Sequence, residues 1–289
     1  MTFTKSPSKL VRFSSQSEVL AAFKSGRVGI VDSNILFNLD AIADITFSKL
    51  MAEYSENLIS LHSQFSKDEK YKPNWTSIHK LGMRLSQFQE KPIPPVSDPE
   101  RESFYGVVNI RRLTKKRFIQ PNFLKNFGHS LSFLWMGLSP GGLHCDEFNN
   151  VLLQLSGKKR VVCFDPIYAD TIGHDHYLMA LDDDSLFSDK NIQAYPGLAK
   201  VPYFEAELKA GDALILPSAA YHAPKAMSFD SVSLNAFFTP RLQKSYLSPH
   251  SRKETPFPWM IMNTAISLSK LSYQLVHYPL FKNGHYEVM

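Results

Sequence analysis

Two short segments of the sequence carry side chains that could hold a metal ion between them. The first contains His144 and Asp146, which are separated by a single residue. On a β-strand, alternate side chains point to the same face, so this pair can converge on one point. A third ligand is available at His222, and such a separation suits strands that are neighbours in a barrel but distant in sequence. Two imidazoles and one carboxylate on one side of a metal form the facial triad of non-haem Fe(II) oxygenases.

Lys159 is the candidate for binding an anionic co-substrate near this metal. In the predicted strand that starts at this residue, Lys159 shares a face with Val161 and Cys163, whereas Lys158 and Arg160 share the other. A lysine that points into a half-buried site pairs strongly with a carboxylate. The alternative is a solvated lysine in a turn.

The other groups with reactive side chains have simpler explanations. His174 and His176 lie in a polar stretch without a third ligand. Cys145 points away from the histidine beside it by strand alternation, so we interpret it as packing and not as a thiolate nucleophile. The acidic run at residues 182–184 lacks the spacing of a calcium loop and is interpreted as solvated.

A cluster of five basic side chains within seven residues is the sharpest feature of the charge pattern. The net charge is +5 and the isoelectric point is about 9.0. Such a cluster could bind phosphate, RNA or an acidic substrate, and the alternative is a solvated strand edge or loop. Its members are Arg111, Arg112, Lys115, Lys116 and Arg117.

The elements that must position these side chains are mostly short strands. After Pro99, apolar and β-branched runs follow one another with turn residues between them, a pattern typical of a sandwich or barrel. The predicted runs are 104–110, 131–137, 150–155, 160–164, 203–208, 213–216 and 232–238, with a polar insertion at 165–201.

Helices are predicted on both sides of this β-rich part. We therefore expect one domain over residues 1–289, made of a mixed helical part at 1–100, a β-helix core at 101–240 and a helical segment at 241–289. The periodicity predicts helices at 17–23, 45–62, 78–88 and 259–276, and a short strand at 28–31.

Composition excludes several classes of protein. The 289 residues are 44% hydrophobic and 20% charged, and the mean hydropathy is −0.20. No apolar run approaches the roughly 18 to 20 residues of a membrane span, and the first residues lack the apolar core of a signal peptide. Two cysteines, Cys145 and Cys163, cannot build a disulfide framework. We expect a soluble cytoplasmic protein.

Two stretches together resemble a known family. The sequence LSFLWMGLSPGGLHCDEFNNVLLQLSGKKRVVCFDP and the later GDALILPSAAYHAP, followed by SVSLNAFFTP, are similar to the JmjC, or cupin-like, class of Fe(II) and 2-oxoglutarate dependent oxygenases. The resemblance covers roughly residues 100 to 240. It is strongest to the branch that contains the asparaginyl hydroxylase that inhibits hypoxia-inducible factor and its small bacterial relatives. It implies a double-stranded β-helix, a jelly roll, with helices packed around it.

The resemblance also implies roles for individual residues. His144, Asp146 and His222 would bind Fe(II), and Lys159 would bind the distal carboxylate of 2-oxoglutarate. Asparagines beside the co-substrate and the metal would be Asn150 and Asn235.

Two positions depart from the family pattern. Where relatives often have a threonine that touches the co-substrate, this chain has Gly141, so another hydroxyl must serve, and Tyr105 or Ser132 are the candidates. Where relatives often have two tryptophans near the distal histidine, this chain has Ala220 and Tyr221, which would enlarge the space over the iron.

The function implied by the resemblance is hydroxylation of a substrate carbon with 2-oxoglutarate and O2 as co-substrates and succinate and CO2 as co-products. The substrate would be a peptide or protein side chain or an amino-acid-derived metabolite. Two alternatives stay open, namely an RNA nucleoside hydroxylase and a non-catalytic protein that retains a metal site. By resemblance, the C-terminal helix could form a homodimer interface.

Overall fold

The computed structural model describes residues 6–38, 45–61, 74–86, 105–110, 130–139, 142–146, 148–172 and 186–238. Several sequence-based predictions fall outside these residues: the basic cluster, the His174 and His176 pair, the acidic run at 182–184, Gly141 and the C-terminal helix. Within the described ranges, no helix is both long and apolar enough to cross a membrane.

Thirteen strands in the described part of the chain form two sheets. The larger sheet has nine strands in the order β2-β3-β11-β8-β13-β7-β6-β4-β5, and the smaller has four in the order β1-β10-β9-β12. All pairs are antiparallel except β1 with β10 and β2 with β3. The strands are β1 Ser8–Lys9, β2 Arg12–Phe13, β3 Gly29–Asp32, β4 Leu58–Leu61, β5 Asn74–Ser77, β6 Tyr105–Asn109, β7 Ser130–Gly137, β8 Asn149–Ser156, β9 Lys158–Cys163, β10 Phe204–Lys209, β11 Asp212–Leu216, β12 His222–Ala226 and β13 Val232–Phe238.

Side chains on alternate positions of the central strands belong to different hydrophobic clusters. On β8, Val151 and Leu153 pack in the cluster that the N-terminal helices cover, whereas Leu152 packs between the two sheets with Val161 and Leu214. All five are at most 1% exposed. A strand covered on both faces is apolar on both faces, which is why β8 appears in the sequence as a continuous apolar run. Two packed sheets with this connectivity form the predicted jelly roll.

Short helices cover the outer faces of the two sheets. Those before β6 pack on the larger sheet, and those after β9 pack on the smaller one. They are α1 Gln16–Ser25, α2 Ser33–Leu36, α3 Phe47–Tyr54, α4 Ile78–Ser86, a 3₁₀ turn Pro166–Tyr168, α5 Ala169–Ile172, α6 Asp189–Ala194 and α7 Gly197–Lys200.

Helix α1 begins at Gln16, one residue before the predicted start, because Ser15 is its N-cap. The Ser15 hydroxyl accepts a hydrogen bond from the Glu18 amide, and the Glu18 carboxylate accepts one from the Ser14 amide at 2.7 Å. This arrangement is a variant of the capping box in which the carboxylate reaches the amide of the residue before the N-cap, and it satisfies two backbone donors at the helix start. The helix ends at Gly26, whose φ of 69° suits glycine.

The structure differs from the predicted elements in two places where strands pair: one predicted helix is too long, and one strand was not predicted. The predicted helix at 45–62 ends at Tyr54, and Leu58–Leu61 pairs instead with β5 and β6. Strand β12 was not predicted because Pro224 lacks an amide donor. It is tolerated because β12 is the outermost full strand of the smaller sheet.

The predicted polar insertion at 165–201 contributes to the core. In its described part, Leu186, Leu198 and Val201 are at most 2% exposed and pack with Val162 and Ala223 on the outer face of the smaller sheet. The apolar residues in this segment are sparse, so its average polarity concealed their role.

The packing of α1 on the larger sheet gives a test of this architecture. The Phe23 ring meets the Phe238 ring edge to face, with centroids 5.0 Å apart, and both are at most 2% exposed. Phe23→Ala should lower the free energy of unfolding by about 3–5 kcal/mol in chemical denaturation, because it removes buried area and leaves a cavity. Leu58→Ala, at a side chain that is 60% exposed, should change it far less. Equal effects would contradict this packing.

Candidate metal centre

Backbone pairing brings the two distant histidines together. His144 donates its amide to the His222 carbonyl at 3.0 Å, and His222 donates to the His144 carbonyl at 2.7 Å. The two rings lie 4.3 Å apart, centroid to centroid. One ligand atom from each of His144, Asp146 and His222 lies within 4.8 Å of the others, so the structure brings all three predicted ligands to one place.

Both imidazole rings are oriented by carbonyl groups two residues earlier in the chain. His144 Nδ1 lies 2.8 Å from the Gly142 carbonyl oxygen, and His222 Nδ1 lies 2.9 Å from that of Ala220. Because a carbonyl only accepts, each Nδ1 must donate, and the neutral ring then carries its lone pair on Nε2. This arrangement fixes the tautomer that a metal ligand needs.

His222 is held in its neutral form. Burial, and to a smaller extent the nearby His144 ring, lower the pKa of His222 to about 4, although Asp146 opposes the shift. The 3.6 Å contact between His222 Nε2 and Asp146 Oδ2 is therefore not an ion pair at neutral pH. It is the approach of a neutral nitrogen lone pair and a carboxylate oxygen, and two such groups lie side by side most readily around a cation.

Asn150 orients the carboxylate of Asp146. Its Nδ2 donates to Asp146 Oδ2 at 3.3 Å, and since a carboxylate only accepts, the orientation of the amide is settled. Its other amide atom, Oδ1, is buried without a hydrogen-bond partner. The Asn150 side chain is fully buried. An unsatisfied acceptor at this depth indicates a missing donor beside the metal site.

The turn before His222 is attached to the segment that carries Asp146. Ala219 donates its amide to the Asp146 carbonyl at 2.9 Å and adopts a φ of 66°, which is uncommon for alanine. The neighbouring Ser218 amide donates to Asn149 Oδ1 at 2.9 Å. These bonds stabilise a strained turn beside the ligands, a pattern common at functional sites.

These features fit a resident divalent metal. The donor set has two imidazole nitrogens and one carboxylate oxygen, and hydrogen bonds already fix the rings and the carboxylate. Such a set, with open positions, suits Fe(II).

Strand register divides the face between the sheets into three cross-strand rows. The row nearest the metal pairs Phe237 with Asn150. The middle row joins Phe133, Asn235 and Leu152, and the third joins Trp135, Ser233 and Gln154. The inner face therefore has a metal end and, two rows away, a polar end.

Lys159 occupies the polar end. Its Nζ donates to Ser233 Oγ at 2.7 Å, and the lysine is only 4% exposed. Burial lowers the pKa of Lys159 to about 7, because it disfavours the charged ammonium. Gln154 is on the same row, with Nε2 bound to the Ser156 carbonyl, which leaves the buried Oε1 without a partner. A carboxylate bound here would meet a cation and a hydroxyl donor.

The two basic neighbours of Lys159 lie on the opposite face, as strand alternation predicted. Lys158 forms an exposed ion pair with Glu207 at 2.8 Å, and Arg160 pairs with Glu205 at 2.7 Å. Only Lys159 of the three is buried.

Of the remaining predicted site residues, Asn235 and Tyr105 lie on the face between the sheets, whereas Ser132 does not. Asn235 lies in the middle row, and Tyr105 lies one row beyond Trp135 and stacks on it, with centroids 5.9 Å apart. Ser132 lies on the other face of β7 with Leu134, so it is not the missing hydroxyl.

Tyr221, which stands at a position where relatives often have tryptophan, does not point toward the metal ligands. Its side chain packs in the outer cluster of the smaller sheet, because strand alternation turns it away from His222.

Sequence reasoning missed Ser233 and Gln154. The signal for Ser233 was present, because it lies two residues before Asn235 and therefore shares its face. Gln154 likewise shares a face with Asn150. Which of these residues lies beside Lys159 depends on the contact between the sheets, and no local pattern contains that contact.

The buried ammonium of Lys159 makes the stability of the apo protein depend on pH. The unfolded state binds this proton up to about pH 10.4, whereas the folded state loses it near pH 7, so stability rises with pH between these values. Lys159→Met should therefore raise the free energy of unfolding at or below pH 7 by about 1–4 kcal/mol, and the gain should shrink toward pH 10. Denaturant titrations across this range measure it.

Lys158→Met is the matched control, since that side chain is 59% exposed and should show no such trend. A gain for Lys159→Met that is constant from pH 7 to pH 10 would contradict a buried, destabilised charge.

Comparison with known proteins agrees with this geometry. The chain is 32% identical over 148 residues to tRNA wybutosine-synthesizing protein 5 of Homo sapiens, which covers 49% of this chain and 44% of the relative. It is 30% identical over 116 residues to the Danio rerio protein of the same name, with 38% and 33% covered. It is 34% identical over 107 residues to tRNA wybutosine-synthesizing protein 4 of Aspergillus oryzae, with 36% and 10% covered. The chain thus spans less than half the length of these relatives.

The family profile of the cupin-like domain matches residues 47–244, a range that contains the three clustered ligand side chains, Lys159 and the strands of both sheets from β4 onward. The matched range begins at residue 47, whereas the resemblance found in the sequence began only at about residue 100. The chain belongs to the family of cupin-like domains.

Proposed function

We propose that this protein is an Fe(II)- and 2-oxoglutarate-dependent oxygenase. The observation that carries the proposal is the convergence of His144, Asp146 and His222 at one end of a buried face, with the buried Lys159 at the other. A metal-binding protein without a co-substrate has no need of a buried lysine two rows away. A 2-oxo dicarboxylic acid such as 2-oxoglutarate has a second carboxylate for Lys159 at one end and metal-chelating oxygens at the other.

Each residue has a specific task in this proposal. Lys159 and Ser233 both hold the far carboxylate through charge-assisted hydrogen bonds, since the carboxylate is ionised. Asn150 keeps the Asp146 carboxylate oriented. The apolar residues between the sheets, among them Leu152 and Val161, exclude water from the space between the two ends.

The chemistry is that of a dioxygenase. His144, Asp146 and His222 would hold Fe(II), which would supply the activation of O2: one oxygen atom would enter the substrate as a hydroxyl and the other would enter succinate, formed from 2-oxoglutarate with loss of CO2. The protein supplies ligation, orientation and a dry site.

We also propose that residues 1–289 form one domain, as expected from the sequence. The larger sheet combines β2 to β5 from before residue 100 with β6, β7, β8, β11 and β13 from after it, which supports a single folding unit.

An anaerobic titration tests the assigned ends of the site. The metal-free chain receives Fe(II) and then 2-oxoglutarate while the weak visible charge-transfer band of the chelate is recorded. We expect the band in the wild-type chain and its loss in His144→Ala, because one iron ligand is gone. In Lys159→Ala the band should require at least tenfold more 2-oxoglutarate, since a charged hydrogen bond contributes about 1.5–3 kcal/mol.

Lys158→Ala serves as the control, because the adjacent lysine differs only in the face that it occupies. If Lys158→Ala weakens 2-oxoglutarate binding and Lys159→Ala does not, the polar end is wrongly assigned. If the folded wild-type chain gives no band at all, the proposal fails in favour of a binding role.

For the substrate, we propose a tRNA nucleoside in preference to a peptide side chain. The relatives carry names of tRNA-modifying proteins, and the sequence contains the basic cluster from Arg111 to Arg117. Phosphate contacts by such a cluster would make RNA binding strongly dependent on salt.

Two assays, of 2-oxoglutarate consumption and of nucleoside mass, test whether the substrate is a tRNA nucleoside. The loaded enzyme should consume 2-oxoglutarate faster with tRNA from cells that lack this protein than with tRNA from cells that contain it, and mass spectrometry should find one nucleoside that gains one oxygen atom. Turnover driven by a peptide mixture and not by tRNA would reverse the preference.

A further inference from the structure

Three large aromatic side chains on the inner face lie outside the hydrophobic clusters that the described residues form. Phe133, Trp135 and Phe237, here called the aromatic strip, are each only half-buried. None belongs to any of the three hydrophobic clusters, although their strands contribute many members to them. Large apolar rings that stay partly exposed beside a buried site are a cost unless something covers them.

The strip lies on the face of the larger sheet that meets the site. Along β7, Leu134 and Met136 point into the helix-covered cluster, so the alternate residues Phe133 and Trp135 point the other way. Phe237 on β13 is likewise the alternate of Phe238, which packs against α1.

The strip is continuous with the metal end of the site. Phe237 is the cross-strand partner of Asn150, whose amide holds the Asp146 carboxylate. The centroids of the Phe133 and Phe237 rings lie 6.3 Å apart, and the two ring planes are inclined at 66° to each other. A planar group that stacks on the face of one ring would contact the other ring with its edge.

Two unsatisfied acceptors accompany the strip. Asn150 Oδ1 and Asn235 Oδ1 are buried without a hydrogen-bond partner, and both side chains are more than nine-tenths buried. A 2-oxo acid carries only acceptor oxygens at neutral pH, so it cannot satisfy them. The missing group must carry donors such as N–H.

We propose that the aromatic strip stacks a nitrogenous base of an RNA substrate, with ring-edge N–H groups of that base directed to Asn235 and Asn150. This inference rests on the proposed function and names the surface that receives the substrate. A nucleobase combines the two required properties, namely a flat π face and N–H donors on its edge. Bases reach such platforms when they are unstacked from a single-stranded loop, and each stacking contact contributes about 1–3 kcal/mol.

Tryptophan fluorescence tests the proposal without any need for turnover. Trp135 is one of three tryptophans, so the full chain carrying Trp75→Phe and Trp259→Phe reports on the strip alone. The probes are an RNA hairpin and the same hairpin whose loop nucleotides lack bases. We expect the complete hairpin to quench the fluorescence of Trp135 and the abasic one to leave it unchanged, although both present the same phosphates.

Matched substitutions separate stacking from general stability. Phe133→Leu and Phe237→Leu should each weaken binding of the complete hairpin about tenfold and leave binding of the abasic hairpin unchanged. Phe229→Leu makes the same change at another half-buried phenylalanine, one that packs against the helix-covered cluster, and should leave both affinities unchanged. Circular dichroism confirms that each variant is folded.

Several outcomes would overturn the inference. One is equal quenching by both hairpins, and another is equal weakening by Phe229→Leu. A third is quenching by a peptide mixture without tryptophan but not by RNA, which would assign the strip to a protein substrate. The chelate titration on the wild-type chain is read separately, because its failure contradicts the oxygenase proposal whatever the RNA result.

Discussion

The pair of backbone hydrogen bonds between His144 and His222 is the constraint on which the site depends. It joins a segment that precedes β8 to the first residue of β12, and it extends the smaller sheet by one residue beyond its outermost strand. Two further contacts, from Ala219 to the Asp146 carbonyl and from Ser218 to Asn149, stop the turn before β12 from moving independently. The ligands are thus positioned by main-chain bonds, which tolerate little rotation, and their side chains need only modest additional support.

The face between the sheets carries the metal ligands at one end and a buried cation at the other. Burying these polar groups lowers the stability of the fold, which supports a functional reason for their presence. An ammonium that is 4% exposed and donates to a serine hydroxyl, without a carboxylate partner among the described residues, is poorly compensated. The unsatisfied oxygens of Asn150, Asn235 and Gln154 lie along the same face. Folding alone would favour apolar residues at these positions, since β8 is apolar on its other face. Buried polar groups that the described residues do not satisfy are the groups on which the proposed functions rest.

Differences between the predicted and observed elements have a common physical origin. The sequence indicated most strands to within a residue or two, because alternation and turn residues are local signals. Strand β12 was missed because Pro224 opposes a strand locally and only its outer position makes it tolerable. The helix predicted over 45–62 was too long because the pairing of β4 with β5 and β6 outweighs its helical periodicity. Sparse apolar residues in 186–201 gave no local sign that they cover the smaller sheet.

By itself, the sequence determined the types and spacing of the ligand residues, the face on which Lys159 lies and the β-rich class of the fold. Each of these depends on alternation within one strand or on composition. Only the tertiary structure decided that Ser233 is the hydroxyl beside Lys159, that Ser132 and Tyr221 turn away, and that the aromatic strip borders the metal end. These facts depend on which strands pair, in what register, and on how one sheet faces the other. Such contacts join residues far apart in the chain, so no local pattern of residues contains them.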